Sequence, residues 1–295
     1  MKFGIIGNTA KSSTKDVLKN LLTYLRKKRL AFVLHNELGS WLRETAPQIV
    51  FDDKSIVSES DLPNQCDMLI ALGGDGTMLS AARIVGNHEI PILGVNLGKL
   101  GFLAEVSVDE LQQCLNDVLE GKYLIEERMV LQATSNQDTK VYFALNEIVI
   151  DRGASPRMID LETSVNGDYL VTYTADGIIL TTPTGSTAYS LASNGPIVTP
   201  QSRVVIINPI APHTLTARPV VVPEDSTIRV VAKSTTKTVH LTADGQREGF
   251  YETPVEIFIR KAEYSIQLVK RQQRTFFDVL RTKLMWGRDL RVEKH

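Results

Sequence analysis

Apolar residues in the first 120 positions gather into short runs separated by stretches of helical period. "KFGIIG" (Lys2 to Gly7), "AFVLH" (Ala31 to His35), "DMLIAL" (Asp67 to Leu72) and "PILGV" (Pro91 to Val95) have the length and composition of buried strands. Between the first two, Val17, Leu18, Leu21, Leu22 and Leu25 recur at i, i+3, i+4 spacing within Thr14 to Lys28, the apolar stripe of one helix. Met78, Leu79, Ala82 and Val85 mark a second helix in "TMLSAARIV". Ser107 with Glu110 reads as a capping box before "LQQCLNDVLEG", and Gly121 as its stop. Strands alternating with helices predict an α/β N-terminal domain with a mostly parallel sheet over residues 1–122.

From Tyr123 the period changes to that of strands. "VYFALNEIVID", "MIDLETSV", "YLVTYTADGIILTT", "RVVIIN", "TIRVVA", "TVHLTA", "VEIFIR" and "YSIQLV" follow with few helical intervals, and "NGD" (Asn166 to Asp168) is a hairpin turn. A predominantly β C-terminal domain over residues 123–272 is predicted. The helical spacing of "FFDVLRTKLMW" then suggests a terminal helix, about 273–295, that packs back on the first domain.

Composition narrows the function classes. The chain has 295 residues, 43% hydrophobic and 23% charged, and 33 basic against 34 acidic residues leave a net charge of −1. This balance argues against nucleic-acid or membrane-surface binding driven by bulk charge. "MKFGIIGNTA" reads as a strand rather than a secretion signal, and no run is long enough to span a bilayer, so a cytoplasmic setting is the default expectation. Two separated cysteines, Cys66 and Cys114, suggest neither disulfides nor zinc. The five dispersed histidines, His35, His88, His213, His240 and His295, read as surface or satisfied core residues, and no metal-ligating side chain is assigned.

The candidate chemistry begins at "LIALGGDGTML" (Leu69 to Leu79), where a strand opens through Gly73, Gly74, Asp75 and Gly76 into a helix. It is neither a Walker loop nor a complete G-x-G-x-x-G fingerprint. Glycines let backbone amides approach phosphate oxygens, and the helix presents its positive end. A carboxylate there would repel phosphate. It makes sense if it meets a hydroxyl that must lose a proton, or a magnesium ion on the phosphates, both needs of phosphoryl transfer. The bland alternative is an aspartate filling a tight turn.

Two further stretches carry polar groups in apolar surroundings. "ADGIILTTPTGSTAYSLASNGPIV" (Ala175 to Val198) runs a strand into a hydroxyl-rich turn and a short helix-compatible "STAYSLA", either a donor-rich nucleotide wall or an ordinary Ser/Thr-capped turn. "ALNEIVIDRG" places adjacent Asn146 and Glu147 in a strand, where neighbours face opposite sides. Burying either without a partner is costly, which points to a ligand at a strand end or bulge, or to an exposed strand end.

Together, "GGDGTML", "NLGKLGFL" (Asn96 to Leu103), "LNE" and above all "DGIILTTPTGSTAYSLASNGP" resemble the NAD kinase family in order and approximate spacing over nearly the whole chain. The resemblance implies the two-domain fold of that family and ATP-dependent phosphorylation of NAD at the 2'-hydroxyl of its adenosine ribose. It implies a magnesium or other divalent cation with ATP, small-molecule partners only, and a homodimer or homotetramer. By motif, Asp75 is the proton acceptor, with Gly74 and Gly76 beside it. Asn146 and Glu147 bind the dinucleotide, and Asp176 holds its nicotinamide end. Thr187, Ala188, Tyr189, Ser190 and Ala192 line the adenosine region, and Arg157, Thr174 and Gln246 align with further binding positions. Thr174 departs from relatives that carry a basic or histidine side chain there. A lipid kinase sharing the GGDG loop and a non-catalytic NAD(P) sensor are the alternatives, while a dehydrogenase lacks its fingerprint.

Overall fold

The computed structural model describes residues 1–98, 101–270 and 275–286. By internal contacts the chain divides into one unit of Met1–Glu126 with the chain's end from Ile266, and a second unit of Glu127–Ser265.

The first unit is an α/β domain. Its strands are β1 (Lys2–Gly7), β2 (Ala31–His35), β3 (Ile56–Val57), β4 (Met68–Gly73), β5 (Ile92–Asn96) and β6 (Val106–Ser107). They pair in parallel in the order β3-β2-β1-β4-β5, with β6 beside β5. Because both faces are covered, the central strands are continuously apolar rather than alternating, and every residue of β4 and β5 is buried. The helices are α1 (Thr14–Lys27), α2 (Asn36–Thr45), α3 (Asp75–Val85) and α4 (Leu111–Leu119). Val17, Leu18, Leu21, Leu22 and Leu25 of α1 enter the core with Phe3, Ile5 and Ile70, as their spacing predicts. The order of the strands reverses between β1 and β4, and the loops that leave these two strands diverge there. Such a switch point opens a crevice outside the carboxyl ends of the strands.

The second unit is mostly β. Its strands are β7 (Leu124–Ser135), β8 (Val141–Ala144), β9 (Glu147–Asp151), β10 (Ile159–Val165), β11 (Asp168–Ala175), β12 (Gly177–Thr181), β13 (Val204–Ile210), β14 (Val220–Pro223), β15 (Ile228–Lys233), β16 (Thr238–Ala243), β17 (Arg247–Glu252) and β18 (Val255–Lys270). One sheet runs β14-β13-β12-β9-β16-β17; another joins β11, β10, β15 and β18 in that order. Apolar residues of both, among them Ile148, Ile178, Leu161 and Ile257, share one core. Asn166 and Gly167 take positive φ between β10 and β11, the two-residue hairpin that "NGD" predicts.

Several boundaries differ from the pattern reading, each for a local reason. "YLVTYTADGIILTT" is two strands, because Asp176 turns the chain out of the sheet of β11 into that of β12. "VYFALNEIVID" is also two, broken at Leu145 and Asn146. "VEIFIR" and "YSIQLV" are one strand, β18. "STAYSLA" is no continuous helix: a 3-10 turn at Gly185–Thr187 is separated from the single helical turn α5 (Tyr189–Ala192) by Ala188 at φ −104°, ψ −126°. Glu110 accepts from the Ser107 N–H, one half of a capping box, but the Ser107 hydroxyl donates to the same carboxylate, the Glu110 N–H goes to Ser107 O, and α4 begins only at Leu111, so this pair closes the preceding turn. The terminal helix α6 (Phe276–Leu284) starts at a reciprocal Thr275/Asp278 box, and its Phe276 ring lies 6.5 Å from that of Phe102 in the first unit. Residues 273–274 and 287–295 of the 273–295 expectation lie outside the described residues.

Candidate active site

In the first unit, Asp75 is the first residue of α3, entered through an extended Gly74. A carboxylate in a first helical turn sits favourably in the helix field. Its oxygens also meet the chain that follows β5. The Phe102 N–H donates to Oδ2 at 3.0 Å, and the Leu103 and Ala104 N–H groups donate to Oδ1 at 3.0 and 3.3 Å. Hydrogen bonds to a charged acceptor are worth about 1.5–3 kcal/mol each, enough to hold the side chain in one orientation. With two donors on Oδ1 and one on Oδ2, the remaining lone pair for a reacting hydroxyl is on Oδ2.

Gly101 makes that approach possible. A Cβ on this residue would come within 2.0 Å of Asp75 Oδ1. At the start of the loop, Gly73 likewise leaves room for the Thr77 side chain, 1.9 Å from where its Cβ would be. The Phe102 end of the clamp is packed against Phe276, with Lys283 Nζ 6.0 Å from the Phe102 ring centroid. Glu105, at its other end, is paired with Lys270, in the part of β18 from Ile266 that belongs to the first unit, and Lys270 also reaches Glu126 at 3.2 Å. Lys99 and Leu100 of "NLGKLGFL" lie outside the described residues.

Gly74 and Gly76, either side of Asp75, line a cavity of about 410 Å³ at the switch-point crevice. Asn8, Thr9 and Lys11 of the β1–α1 loop and Thr77 and Ser80 of α3 add hydroxyls, an amide and a cation. The carboxyl end of β2 contributes His35, which does not fit the expectation of a satisfied core histidine. It is 6% exposed and its Nε2 is buried without a hydrogen-bond partner among the described residues.

In the second unit, Asn146 and Glu147 stand at the bend between β8 and β9, which resolves their adjacency: Asn146 precedes the strand and Glu147 begins it. Both are buried. The bend is fixed by Asp244, whose carboxylate accepts from the N–H groups of Leu145, Asn146 and Glu147 at 2.8, 2.8 and 3.1 Å. The threonine-rich segment is stitched to the same bend. The Thr181 hydroxyl and Thr182 N–H donate to Asn146 O, and the Thr182 hydroxyl to Leu145 O. A Cβ on Gly185 would meet Asn146 O at 2.4 Å, so "TTPTGST" lies against "LNE" at backbone contact.

Burial, with the Asp244 carboxylate as a smaller cause, pushes the Glu147 carboxyl up to about 8, and its Oε2 is buried without a partner among the described residues. Glu147 is therefore neutral at pH 7 and offers an O–H to a ligand. Since the unfolded carboxyl titrates near 4.5 and the folded one near 8, the native protein loses stability as pH rises between them. Glu147→Gln should gain on the parent by about 1.4 kcal/mol per pH unit across that window and level off above it. Urea unfolding at several pH values checks this; a pH-independent difference would mean an ionised Glu147.

The other sequence-predicted residues separate into groups. Tyr189, 45% exposed, has its phenol pKa raised by partial burial and by the charges of Asp151, Asp176 and Glu147, so these four share one neighbourhood. Asp176 is paired with Arg152, Nε to Oδ1 2.8 Å, a partner the sequence did not single out. The Thr187 hydroxyl donates to Thr184 O, Ala188 is half-buried and Ala192 exposed. Ser190 is fully buried and its hydroxyl accepts from Asn208 Nδ2 at 3.1 Å, so that group is already used inside the fold. Thr174 turns its hydroxyl to Asp160, at 2.7 Å. Arg157 is exposed, its side chain making no hydrogen bond or ion pair among the described residues, and Gln246 is on the exposed β16–β17 turn.

The family model described as the ATP-NAD kinase N-terminal domain matches residues 3–123, and that described as the ATP-NAD kinase C-terminal domain matches residues 145–271. The NAD kinase of Bacteroides fragilis is 43% identical over 298 residues, covering 99% of this chain and 100% of its own. That of Geobacter metallireducens is 43% identical over 291 residues, covering 97% and 99%. Among solved structures, yeast NADH kinase complexed with NADH is similar with a TM-score of 0.89 at 27% identity, over 100% of this chain and 90% of that one. An NAD kinase from Archaeoglobus fulgidus in complex with ATP is similar with a TM-score of 0.74 at 26% identity, over 95% and 99%.

Proposed function

The chain belongs to the ATP-NAD kinase family, and from that premise we propose that it transfers the γ-phosphate of ATP to the 2'-hydroxyl of the adenosine ribose of NAD, making NADP. The observation that carries the reading is Asp75, a carboxylate clamped by three amides between two glycines that line a crevice of about 410 Å³. Pure binding of phosphates gains nothing from such a charge, whereas transfer to a hydroxyl needs an acceptor at that point. The lipid-kinase and sensor alternatives draw no support from the relatives above.

The donor is assigned to the crevice of the first unit. Lys11, Thr9, Thr77 and the turn at Gly74 and Gly76 present a cation, hydroxyls and close backbone to a triphosphate, and α3 presents its positive end. A divalent cation arrives on the ATP oxygens as part of that substrate. The dinucleotide is assigned to Asn146, Glu147, Asp176, Thr187, Ala188, Tyr189, Ser190 and Ala192, with Arg157, Thr174 and Gln246 as outer contacts. Support comes from the shared neighbourhood of Tyr189, Asp176 and Glu147, and from the buried, unpartnered Glu147 Oε2, which a ribose hydroxyl would satisfy. A homo-oligomer in the cytoplasm belongs to the same proposal.

Phosphoryl transfer of this kind runs through a loose transition state, so the protein's task is alignment more than proton abstraction. Asp75 Oδ2 receives the hydroxyl as a hydrogen bond and takes its proton late, as the 2'-oxygen bonds to the γ-phosphorus and the bond from that phosphorus to the departing ADP oxygen breaks. The test is a coupled assay in which a strictly NADP-dependent dehydrogenase reports product from purified protein, NAD, ATP and magnesium. Product that requires both substrates is expected; no NADP from folded protein would overturn the reading.

A further inference from the structure

The crevice of the first unit offers different chemistry at its two sides. Toward the switch point it has Lys11, Thr9 and the glycine turn, suited to phosphates. The strand order β3-β2-β1 sets its other side at the end of β2 and the chain after β3, where His35, Glu37, Glu59 and Arg83 line it.

His35 is the last residue of β2 and only 6% exposed, yet its Nε2 has no hydrogen-bond partner among the described residues. The nearest carboxylate oxygen, Glu59 Oε2, is 3.9 Å away, beyond hydrogen-bond reach, and the other Glu59 oxygen is held by the Arg83 guanidinium. Burial lowers the imidazole pKa, so the ring is neutral at pH 7. An unmet buried polar atom costs about 1–3 kcal/mol, a cost removed when a ligand bonds it. An anionic group is disfavoured at this end, where Glu37 and Glu59 act on the ring and the Arg83 cation is engaged by Glu59. A hydroxyl fits. In open α/β sheets a nucleotide whose phosphates lie on the loop after the first strand presents its ribose to the end of the second.

We propose that His35 Nε2 hydrogen-bonds a ribose hydroxyl of the nucleoside triphosphate donor and so selects that donor by its nucleoside half. The inference rests on the reading of this crevice as the donor site. Inorganic polyphosphate has no hydroxyl of this kind to offer and would leave the imidazole unmet.

The experiment compares KM for ATP, 2'-deoxy-ATP and 3'-deoxy-ATP in the parent protein, His35→Leu, His35→Gln and Lys11→Ala, after thermal melting has shown each to be folded. In the parent, one deoxy analogue should have a KM about tenfold above that of ATP, equivalent to about 1.4 kcal/mol. His35→Leu should raise KM for ATP by a similar factor, erase the discrimination and leave KM for NAD unmoved. His35→Gln, which keeps a hydrogen-bonding group, should restore part of it. Lys11→Ala should raise KM for ATP and both analogues alike. If Lys11→Ala has no effect on ATP, the donor is not in this crevice. If it has, but His35→Leu still discriminates as the parent does, or the parent never discriminates, the ribose contact alone is wrong.

Discussion

Asp75→Asn should lower kcat by about 100-fold or more while the Kd for NAD changes little, because the substitution keeps the size of the side chain and removes the acceptor. The expected split follows from the clamp. Asn can still accept from Leu103 and Ala104 through Oδ1, so the loop keeps two of its three anchors. At the other position an N–H₂ would face the Phe102 N–H instead of accepting from it, and the atom proposed to receive the substrate proton is gone. Turnover by the coupled assay, NAD binding by calorimetry and a thermal melt separate the cases. Undiminished turnover would return Asp75 to the bland reading, an anchor for residues 102–104. Loss of turnover together with NAD binding and folding would point to collapse of the loop rather than loss of a base.

The parts of this site that were legible in the sequence are those in which unlike residues stand next to each other. A carboxylate among glycines, two polar residues in an apolar strand and a run of small hydroxyls each conflict with their surroundings, and the conflict is local. What holds these residues was not legible, because it is made of backbone groups and distant partners. The amides that clamp Asp75 lie 27 to 29 positions away and no side chain advertises them. Asp244 fixes the Asn146–Glu147 bend from 98 positions downstream, where nothing in the local pattern singles it out. His35 looked like the end of an apolar strand; only the spatial order β3-β2-β1-β4 turns that end into the wall of a crevice. The same holds for the fold. Periodicity separated α/β from β texture, but it could not show that Asp176 marks a change of sheet, since the runs on both sides are equally apolar.

Gly101→Ala should lower kcat on the order of 100-fold, although the substituted residue touches no substrate. A methyl group there would stand 2.0 Å from Asp75 Oδ1 and 2.8 Å from its carboxyl carbon, distances no relaxation of a flexible side-chain tip can absorb without moving the carboxylate. Retreat of the loop instead is opposed by Phe102 on Phe276 and by Glu105 on Lys270. The carboxylate must therefore turn, and Oδ2 leaves the line that the reaction needs. The loss should fall on kcat, with KM for NAD and for ATP changed only modestly, which distinguishes misplacement of one group from a damaged binding site. A double-mutant cycle gives the decisive reading. If Gly101 acts only by making room for the carboxylate, adding Gly101→Ala to Asp75→Asn costs little further turnover, because the orientation it spoils no longer matters. Additive losses in the double variant would show that Gly101 serves some other need of the loop, and the clamp would cease to explain how Asp75 is aimed.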